Sequence, residues 1–319
     1  LKPIADLLHR HDKLLLVDEA HGAHYGFHPA LPPSAMASGA DAAVQSTHKM
    51  LTAMTMGSML HVQGNRIHRP TVKRALSMLQ SSSPSYPIMA SLDLSRYWLE
   101  KYGMQQMEAA LQLIAACRRE LEGHPRWKYV NEGGDPSQTQ DPFKLSLFDA
   151  TSTLNGYALK EKLEQLGCYP EMADPNHVLL AFSPATTQED LHRLIDALDR
   201  IGKEAPVVQN AATDMPVMLA PLANVISEPI AFSLERIHND PAEVQQVPLS
   251  SCAGQVCAEL IVPYPPGIPV LFPGETITED TISDLLRLAD AGGRFQGHNV
   301  TALRTLPIYK AKDEQVLFS

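Results

Sequence analysis

Short apolar runs alternate with amphipathic stretches along much of the chain. Apolar runs that end in Gly, Asp or Pro are typical of strands, and apolar positions that recur every helical turn are typical of helices. The pattern predicts strands within residues 13–22, 40–47, 57–64, 143–150 and 176–184. It predicts helices within residues 71–80, 90–123, 155–167 and 187–202. Strands that alternate with helices indicate an α/β fold.

The first two strands carry unusual polar residues where they end. The run KLLLVDEAHG at 13–22 is continuous and apolar, which predicts a buried parallel strand with functional groups at its carboxyl end. The second run is followed by Ser-Thr-His-Lys and then by more apolar residues, so we expect Lys49 to lie in buried surroundings. Burial disfavours an ammonium group unless a partner or a chemical role compensates. Lys49 is therefore a candidate functional residue.

Composition narrows the classes of partner. The 319 residues include 26 Lys and Arg against 36 Asp and Glu, a formal net charge of −10, which argues against nucleic-acid and anionic-membrane partners. No apolar run is long enough to predict a transmembrane helix. The four cysteines are scattered and form no CxxC pair, which favours a reducing, cytoplasmic location.

Turn-rich segments divide the chain. Residues 124–141 hold clusters of Gly, Pro and Asp, and residues 203–216 resemble a linker. The predicted divisions are residues 1–123, 124–202, 203–216 and 217–319. The chain begins with Leu1 in a helix-like stretch rather than with Met, so we expect that an N-terminal part is missing.

Five polar residues are expected to converge at one sheet edge: Asp18, His21, Ser46, His48 and Lys49. A lysine that forms a Schiff base, a carboxylate that faces a pyridine nitrogen, and groups that bind phosphate together suit pyridoxal 5′-phosphate. Each residue also has an ordinary interpretation. An aspartate at a strand end is often a turn or cap residue, and a lysine after a strand is usually solvated.

Three closely spaced histidines offer a competing hypothesis. His21, His24 and His28 could bind a metal in a hydrolase. Gly22 and Gly26 between them favour turn geometry instead, so we predict no metal.

Four stretches resemble one family in order and approximate spacing. They are VDEAHGAHYGFHPALPPSA, GADAAVQSTHKML, LQSSSPSYPIMASLD and VPYPPGIPVLFPGE. Together they resemble the ornithine/lysine/arginine decarboxylases, bacterial enzymes of the aspartate-aminotransferase-like, fold-type-I pyridoxal phosphate superfamily. The resemblance is strong to about residue 100, looser to residue 200, and strong again at 252–280.

The resemblance implies roles for the residues around the cofactor ring. Lys49 matches the lysine that binds the cofactor covalently, and Asp18 matches the acid at the pyridine nitrogen. Ala20 matches the small residue packed on the ring, and His21 resembles a histidine that reaches the ring hydroxyl. Lys49, Asp18 and His21 are thus the implied catalytic residues.

The resemblance also implies residues for the phosphate and the substrate. Ser46 and His48 match phosphate contacts. Ser82 and Ser83 match a loop that reaches the phosphate of a neighbouring subunit, which implies a homodimer or higher homo-oligomer with shared active sites. Glu275 lies in a motif near the basic end of the substrate in some relatives.

The implied activity is decarboxylation of arginine, lysine or ornithine to a polyamine or its precursor. Residues 1–123 then correspond to the C-terminal part of the cofactor-binding large domain, residues 124–202 to a small α+β domain, and residues 217–319 to a C-terminal α/β domain. Two alternatives stay open: another fold-type-I reaction, such as that of an aminotransferase or acyltransferase, and a non-catalytic fragment.

Overall fold

A three-stranded mixed sheet lies near the start of the chain. Its strands, in spatial order, are β1 (Leu16–Asp18), β2 (Ala42–Gln45) and β3 (Met59–Val62). β1 pairs with β2 in parallel, and β3 pairs with β2 antiparallel. The three strands lie within the first three runs predicted from the sequence, and the parallel pairing expected of the first is confirmed.

The computed structural model describes residues 1–130, 140–205, 244–264, 267–297, 300 and 304–310. The chain divides into two compact units. The first unit contains residues 1–123, 131–145 and 181–193, and the second contains residues 124–130, 146–180 and 194–319.

Helices lie before, between and after the strands of the first sheet in the sequence. Their bounds are α1 Lys2–Arg10, α2 Thr47–Met50, α3 Arg69–Leu79, α4 Tyr86–Trp98 and α5 Met104–Gly123, with a π-helical turn at Leu99–Gly103 between α4 and α5. The Ser85 hydroxyl accepts the Ile88 N–H and caps α4. A Cβ on Gly103 would lie 2.8 Å from Leu99 Cδ1, so glycine gives Leu99 the room to pack in that turn. The predicted helices at 71–80 and 90–123 are confirmed, the second with this π turn inside it.

The core of the first unit rests on one face of α5. Buried residues recur on it at helical spacing: Met107, Ala110, Ile114, Cys117 and Leu121. Three of them join a cluster with buried side chains from elsewhere in the unit: Leu31, Met50, Leu99 and Phe143. Met50 anchors the single-turn helix α2 in this cluster.

A four-stranded sheet follows along the chain. Its spatial order is β4 (Trp127–Tyr129), β5 (Lys144–Asp149), β7 (Val178–Ala181) and β6 (Met172–Ala173). The helices α6 (Gly156–Gln165) and α7 (Gln188–Glu204) belong to the same part of the sequence. β5, β7 and both helices were predicted. β4 and β6 were not, because three and two residues are too short to show an apolar period.

The last part of the second unit holds two short antiparallel ladders. β8 (Val244–Pro248) pairs with β11 (Thr305–Tyr309), and β9 (Val262–Tyr264) pairs with β10 (Arg294–Gln296). A 3₁₀ turn spans Leu249–Ser251, and helix α8 spans Glu279–Asp290. Buried side chains from these elements and the segments between them form one hydrophobic core: Leu249, Cys252, Cys257, Ile261, Leu271, Ile277, Ile282, Leu285, Val300, Leu306 and Ile308.

The expectation that the first strand is buried is wrong. Leu16 on β1 is 65% exposed and Val44 on β2 is 48% exposed. β1 is an edge strand, and Leu60, paired with Val44 on the same face of the sheet, is exposed as well. The opposite face is covered, since Ala35, Ala40 and Ala43 are buried together there.

The domain boundaries predicted from the sequence stay predictions, and residues 206–216 of the expected linker lie outside the described residues. No helix within the described ranges is both long and apolar enough to cross a bilayer.

Two methionines on α5 test the assignment of the core. Met107 is fully buried and Met104 is 55% exposed. Met107→Ala leaves a cavity, so we expect it to lower the free energy of unfolding by about 2–5 kcal/mol. Met104→Ala is the matched control and should change it by less than about 0.5 kcal/mol. Urea denaturation measures both, and equal effects of the two substitutions would contradict this packing.

Candidate active site

Backbone hydrogen bonds continue between the residues that follow β1 and β2. Asp18, the last residue of β1, is aligned with Val44. The next two contacts continue the pairing: Glu19 N–H donates to Val44 O at 2.9 Å, and Ser46 N–H donates to Ala20 O at 3.2 Å. The segments that follow both strands therefore emerge side by side at one edge of the sheet.

Lys49 is exposed, which corrects the expectation of buried surroundings. The reason is the geometry of α2, which is one turn long. Its buried residues are Thr47 and Met50, so the helical period leaves Lys49 on the outer side. Among the apolar residues that follow Lys49, Met50 is buried in the core, whereas Met54 and Met56 are exposed, so this stretch does not cover the amine.

The structure brings Lys49 and His21 together. Lys49 Nζ lies 3.3 Å from His21 Nε2, within hydrogen-bond distance. The described residues supply Lys49 with no carboxylate partner. Lys49 thus carries an accessible amine next to an imidazole.

Asp18 is exposed at the same end of the sheet. Its Oδ1 accepts the Ala20 N–H at 3.0 Å. Within the described part of the chain no cation pairs with it. This turn fixes the carboxylate and leaves its second oxygen accessible.

Ser46 and His48 lie in the same turn as Lys49, and their contacts with the cofactor phosphate stay predictions. Ser46 is the N-cap residue of α2. His48 Nδ1 donates to Gly57 O at 3.0 Å, so only its Nε2 remains for another ligand.

The other predicted site residues have local contacts. Ser82 and Ser83 are exposed between α3 and α4, and Ser83 N–H donates to Ser81 Oγ. Glu275 lies in the second unit, where its Oε2 accepts the Phe272 N–H at 3.0 Å. Their roles toward the cofactor or the substrate stay predictions.

The three clustered histidines have different partners. His24 is fully buried and lies 3.1 Å from Asp141, whereas His28 Nε2 lies 2.9 Å from Glu108. Across the described ranges, no three His, Cys, Asp or Glu side chains are arranged to hold a metal ion. This geometry gives the metal-hydrolase hypothesis no support.

Burial affects one titratable group in the loop after β1. It raises the pKa of Tyr25 to about 12, with contributions from the nearby carboxylates of Asp141 and Glu19. The phenol is therefore neutral at ordinary pH.

A buried polar network escaped the sequence analysis. Glu19 Oε2 accepts the Gln45 side-chain amide at 2.6 Å, and Gln45 Oε1 accepts His61 Nε2 at 3.0 Å. The only sequence signal was indirect, because strand alternation turns the residues next to Asp18 and Ser46 toward the covered face.

Family comparisons match this chain to one kind of enzyme. The model described as "Orn/Lys/Arg decarboxylase, major domain" matches residues 1–131, and the one described as "Orn/Lys/Arg decarboxylase, C-terminal domain" matches residues 230–301. Together they span more than half of the chain. The chain belongs to the Orn/Lys/Arg decarboxylase family. The resemblance seen in the sequence is thereby confirmed.

Curated relatives cover nearly the whole chain. The arginine decarboxylase of Bacillus subtilis (strain 168) is 34% identical over 315 residues, which are 97% of this chain and 63% of that protein. The arginine decarboxylase of Bacillus anthracis is 31% identical over 321 residues, 97% of this chain and 62% of that protein. This decarboxylase-family chain therefore spans about three fifths of the length of these relatives.

Solved structures confirm the fold. The lysine decarboxylase LdcF of Francisella novicida aligns with a TM-score of 0.71 at 22% identity, over 95% of this chain and 55% of that one. Lysine decarboxylase A of Pseudomonas aeruginosa aligns with a TM-score of 0.69 at 23% identity, over 93% and 53%. The predicted α/β class with a fold-type-I large domain is confirmed. Family and fold imply pyridoxal phosphate as the cofactor, as the sequence predicted.

The donor set fits that cofactor. An accessible amine at Lys49, an accessible carboxylate at Asp18 and an imidazole at His21 occupy neighbouring strand ends. These groups match the aldehyde, the pyridine nitrogen and the ring hydroxyl of pyridoxal phosphate.

Gly22 tests the packing behind the site. A Cβ there would overlap Glu19 Cγ and would lie 2.6 Å from Tyr25 Cδ2. We expect Gly22→Ala to lower the free energy of unfolding by about 1–3 kcal/mol through overpacking. Gly123→Ala is the control, because a Cβ at Gly123 meets nothing within 4 Å. Thermal and urea denaturation measure both changes, and a neutral Gly22→Ala would refute the close packing.

Proposed function

We propose that the whole protein is a pyridoxal-phosphate-dependent decarboxylase of arginine, lysine or ornithine, and that this chain carries its cofactor-binding lysine. The product is the corresponding diamine or agmatine. The observation that carries the proposal is the exit of Asp18 and of the segment leading to Lys49 from the same edge of two paired parallel strands. Membership in the decarboxylase family supports it.

Lys49 would hold the cofactor through its amine. The amine is exposed and has no carboxylate partner among the described residues, so it is available as a nucleophile. His21 Nε2 at 3.3 Å accepts or returns a proton at Nζ.

Asp18 would bind the pyridine nitrogen. The Ala20 N–H holds one carboxylate oxygen in place, and the other oxygen remains to accept a hydrogen bond. A fixed negative charge at this position keeps a ring nitrogen protonated. When bound, pyridoxal phosphate supplies an electron sink for the pair released as the bond from Cα to the carboxylate breaks.

The remaining residues have supporting roles in the proposal. Ala20 packs on the ring, and Ser46 and His48 contact the phosphate. Ser82 and Ser83 complete the site of a neighbouring subunit in a homo-oligomer, which we place in the cytoplasm. The site would select the bond to the carboxylate by how it orients the substrate, and Lys49 or His21 would return a proton to the substrate Cα.

The substrate class follows from the relatives and the charge. The Bacillus subtilis relative is named an arginine decarboxylase, and the Francisella novicida relative is named a lysine decarboxylase. The excess of acidic residues favours a cationic substrate. Glu275 is the proposed contact for its basic end.

Substitution of Lys49 tests the proposal. The chain is titrated with pyridoxal phosphate while the absorption spectrum is recorded, and CO₂ release is measured with arginine, lysine and ornithine. Lys49→Ala should abolish the spectral change and the turnover. Asp18→Asn should lower turnover by about a hundredfold, since it removes the charge at the ring nitrogen.

Lys73→Ala is the matched control, because Lys73 is also exposed on a helix, α3, and has no role in the proposed site. It should behave as the unmodified chain. A Lys49→Ala variant that keeps both signals would overturn the role of Lys49. Keto-acid formation without CO₂ would indicate an aminotransferase, and absence of any spectral change would indicate a non-catalytic chain.

A further inference from the structure

Side-chain hydrogen bonds connect the ends of β1 and β2 on the covered face of the first sheet. Glu19 is 8% exposed and Gln45 is 9% exposed. Glu19 Oε1 accepts the Ala35 N–H at 2.8 Å, and Glu19 Oε2 accepts Gln45 Nε2 at 2.6 Å. Each oxygen of this buried carboxylate therefore has a donor.

The chain of contacts continues to the third strand. Gln45 Oε1 accepts His61 Nε2 at 3.0 Å, and Gln45 Nε2 also lies 3.4 Å from Gly22 O. Because the amide oxygen only accepts, His61 donates and the amide nitrogen is directed at Glu19. One hydrogen-bonded series thus joins the end of β1 to the end of β2 and to β3.

The two residues adjoin the proposed functional residues in sequence. Glu19 directly follows Asp18, and Gln45 directly precedes Ser46 at the start of the turn that carries Lys49. Successive side chains of an extended segment point to opposite faces, so the network lies behind the exposed groups. A change in the distance between Glu19 and Gln45 moves both exposed segments.

We propose that Glu19 and Gln45 are positioning residues that hold Asp18 and Lys49 in register for one cofactor. The role rests on the proposed function. Neither residue contacts the cofactor in this proposal, and both act through the backbone at the ends of β1 and β2. Gly22 supports them, because its lack of a side chain makes room for Glu19 Cγ.

Substitutions that first duplicate and then exchange the carboxylate of Glu19 and the amide of Gln45 test the contact between these two side chains. Gln45→Glu places two carboxyl groups against each other in a buried site, so we expect the dissociation constant of pyridoxal phosphate to rise by at least about tenfold. The double variant Glu19→Gln/Gln45→Glu restores one amide and one carboxylate in swapped positions. It should return the dissociation constant to within about threefold of the unmodified chain.

A second glutamine separates positioning from stability. Gln63 donates to Met36 O at 2.8 Å and to Ala40 O at 2.7 Å, at the end of β2 and β3 opposite to the end that carries Gln45. Gln63→Glu should destabilise the fold, because a carboxylate cannot donate to the two carbonyl oxygens that the Gln63 amide contacts. It should lower the free energy of unfolding in urea and leave the affinity for pyridoxal phosphate unchanged.

The outcomes distinguish the two claims. Absence of pyridoxal phosphate binding at Lys49 in the unmodified chain, judged by borohydride reduction and peptide mapping, would overturn the proposed function and this role with it. If the unmodified chain binds pyridoxal phosphate at Lys49 and a folded Gln45→Glu variant binds it with equal affinity, the positioning role alone is overturned. A double variant that stays as weak as Gln45→Glu would overturn it too.

A milder variant covers the case in which Gln45→Glu does not fold. His61→Leu removes only the outer hydrogen bond, so it should weaken pyridoxal phosphate binding by about threefold in a folded chain. If Gln45→Glu is unfolded, unchanged affinity in His61→Leu overturns the role.

Discussion

The geometry of the candidate site depends on the backbone pairing that continues past the first two strands. The hydrogen bonds from Glu19 to Val44 and from Ser46 to Ala20 hold the two exits side by side. Asp18, His21, Ser46, His48 and Lys49 all lie within a few residues of these contacts. A short parallel pair has little ladder to fix it, so its exits need additional support. The buried contact of Glu19 with Gln45 supplies that support from the covered face.

The two faces of the first sheet differ in their side chains and their exposure. The covered face combines small apolar residues with the polar network, and the exposed face ends in Asp18 with an accessible carboxylate. Separation of this kind lets an exposed amine and carboxylate stay unpaired with each other while the backbone beneath them is fixed. It also explains Gly22, where any side chain would displace the buried glutamate.

The sequence predicted the α/β class, most of the longer elements, the family and the neighbourhood of Lys49 with His21. It did not predict the exposure of Lys49, since an apolar neighbourhood in sequence does not say which side of a one-turn helix is covered. It missed β4 and β6 because such short strands have no period. It also missed the network of Glu19, Gln45 and His61, because their contacts join residues far apart along the chain.

We propose that Asp18 and Lys49 bind one molecule of pyridoxal phosphate, with the Asp18 carboxylate at the ring nitrogen. Nitrogen NMR of the chain loaded with pyridoxal phosphate that carries ¹⁵N in the ring tests it most directly. We expect a protonated ring nitrogen in the unmodified chain and loss of that proton in Asp18→Asn. A ring-nitrogen shift that is the same in both chains would contradict it.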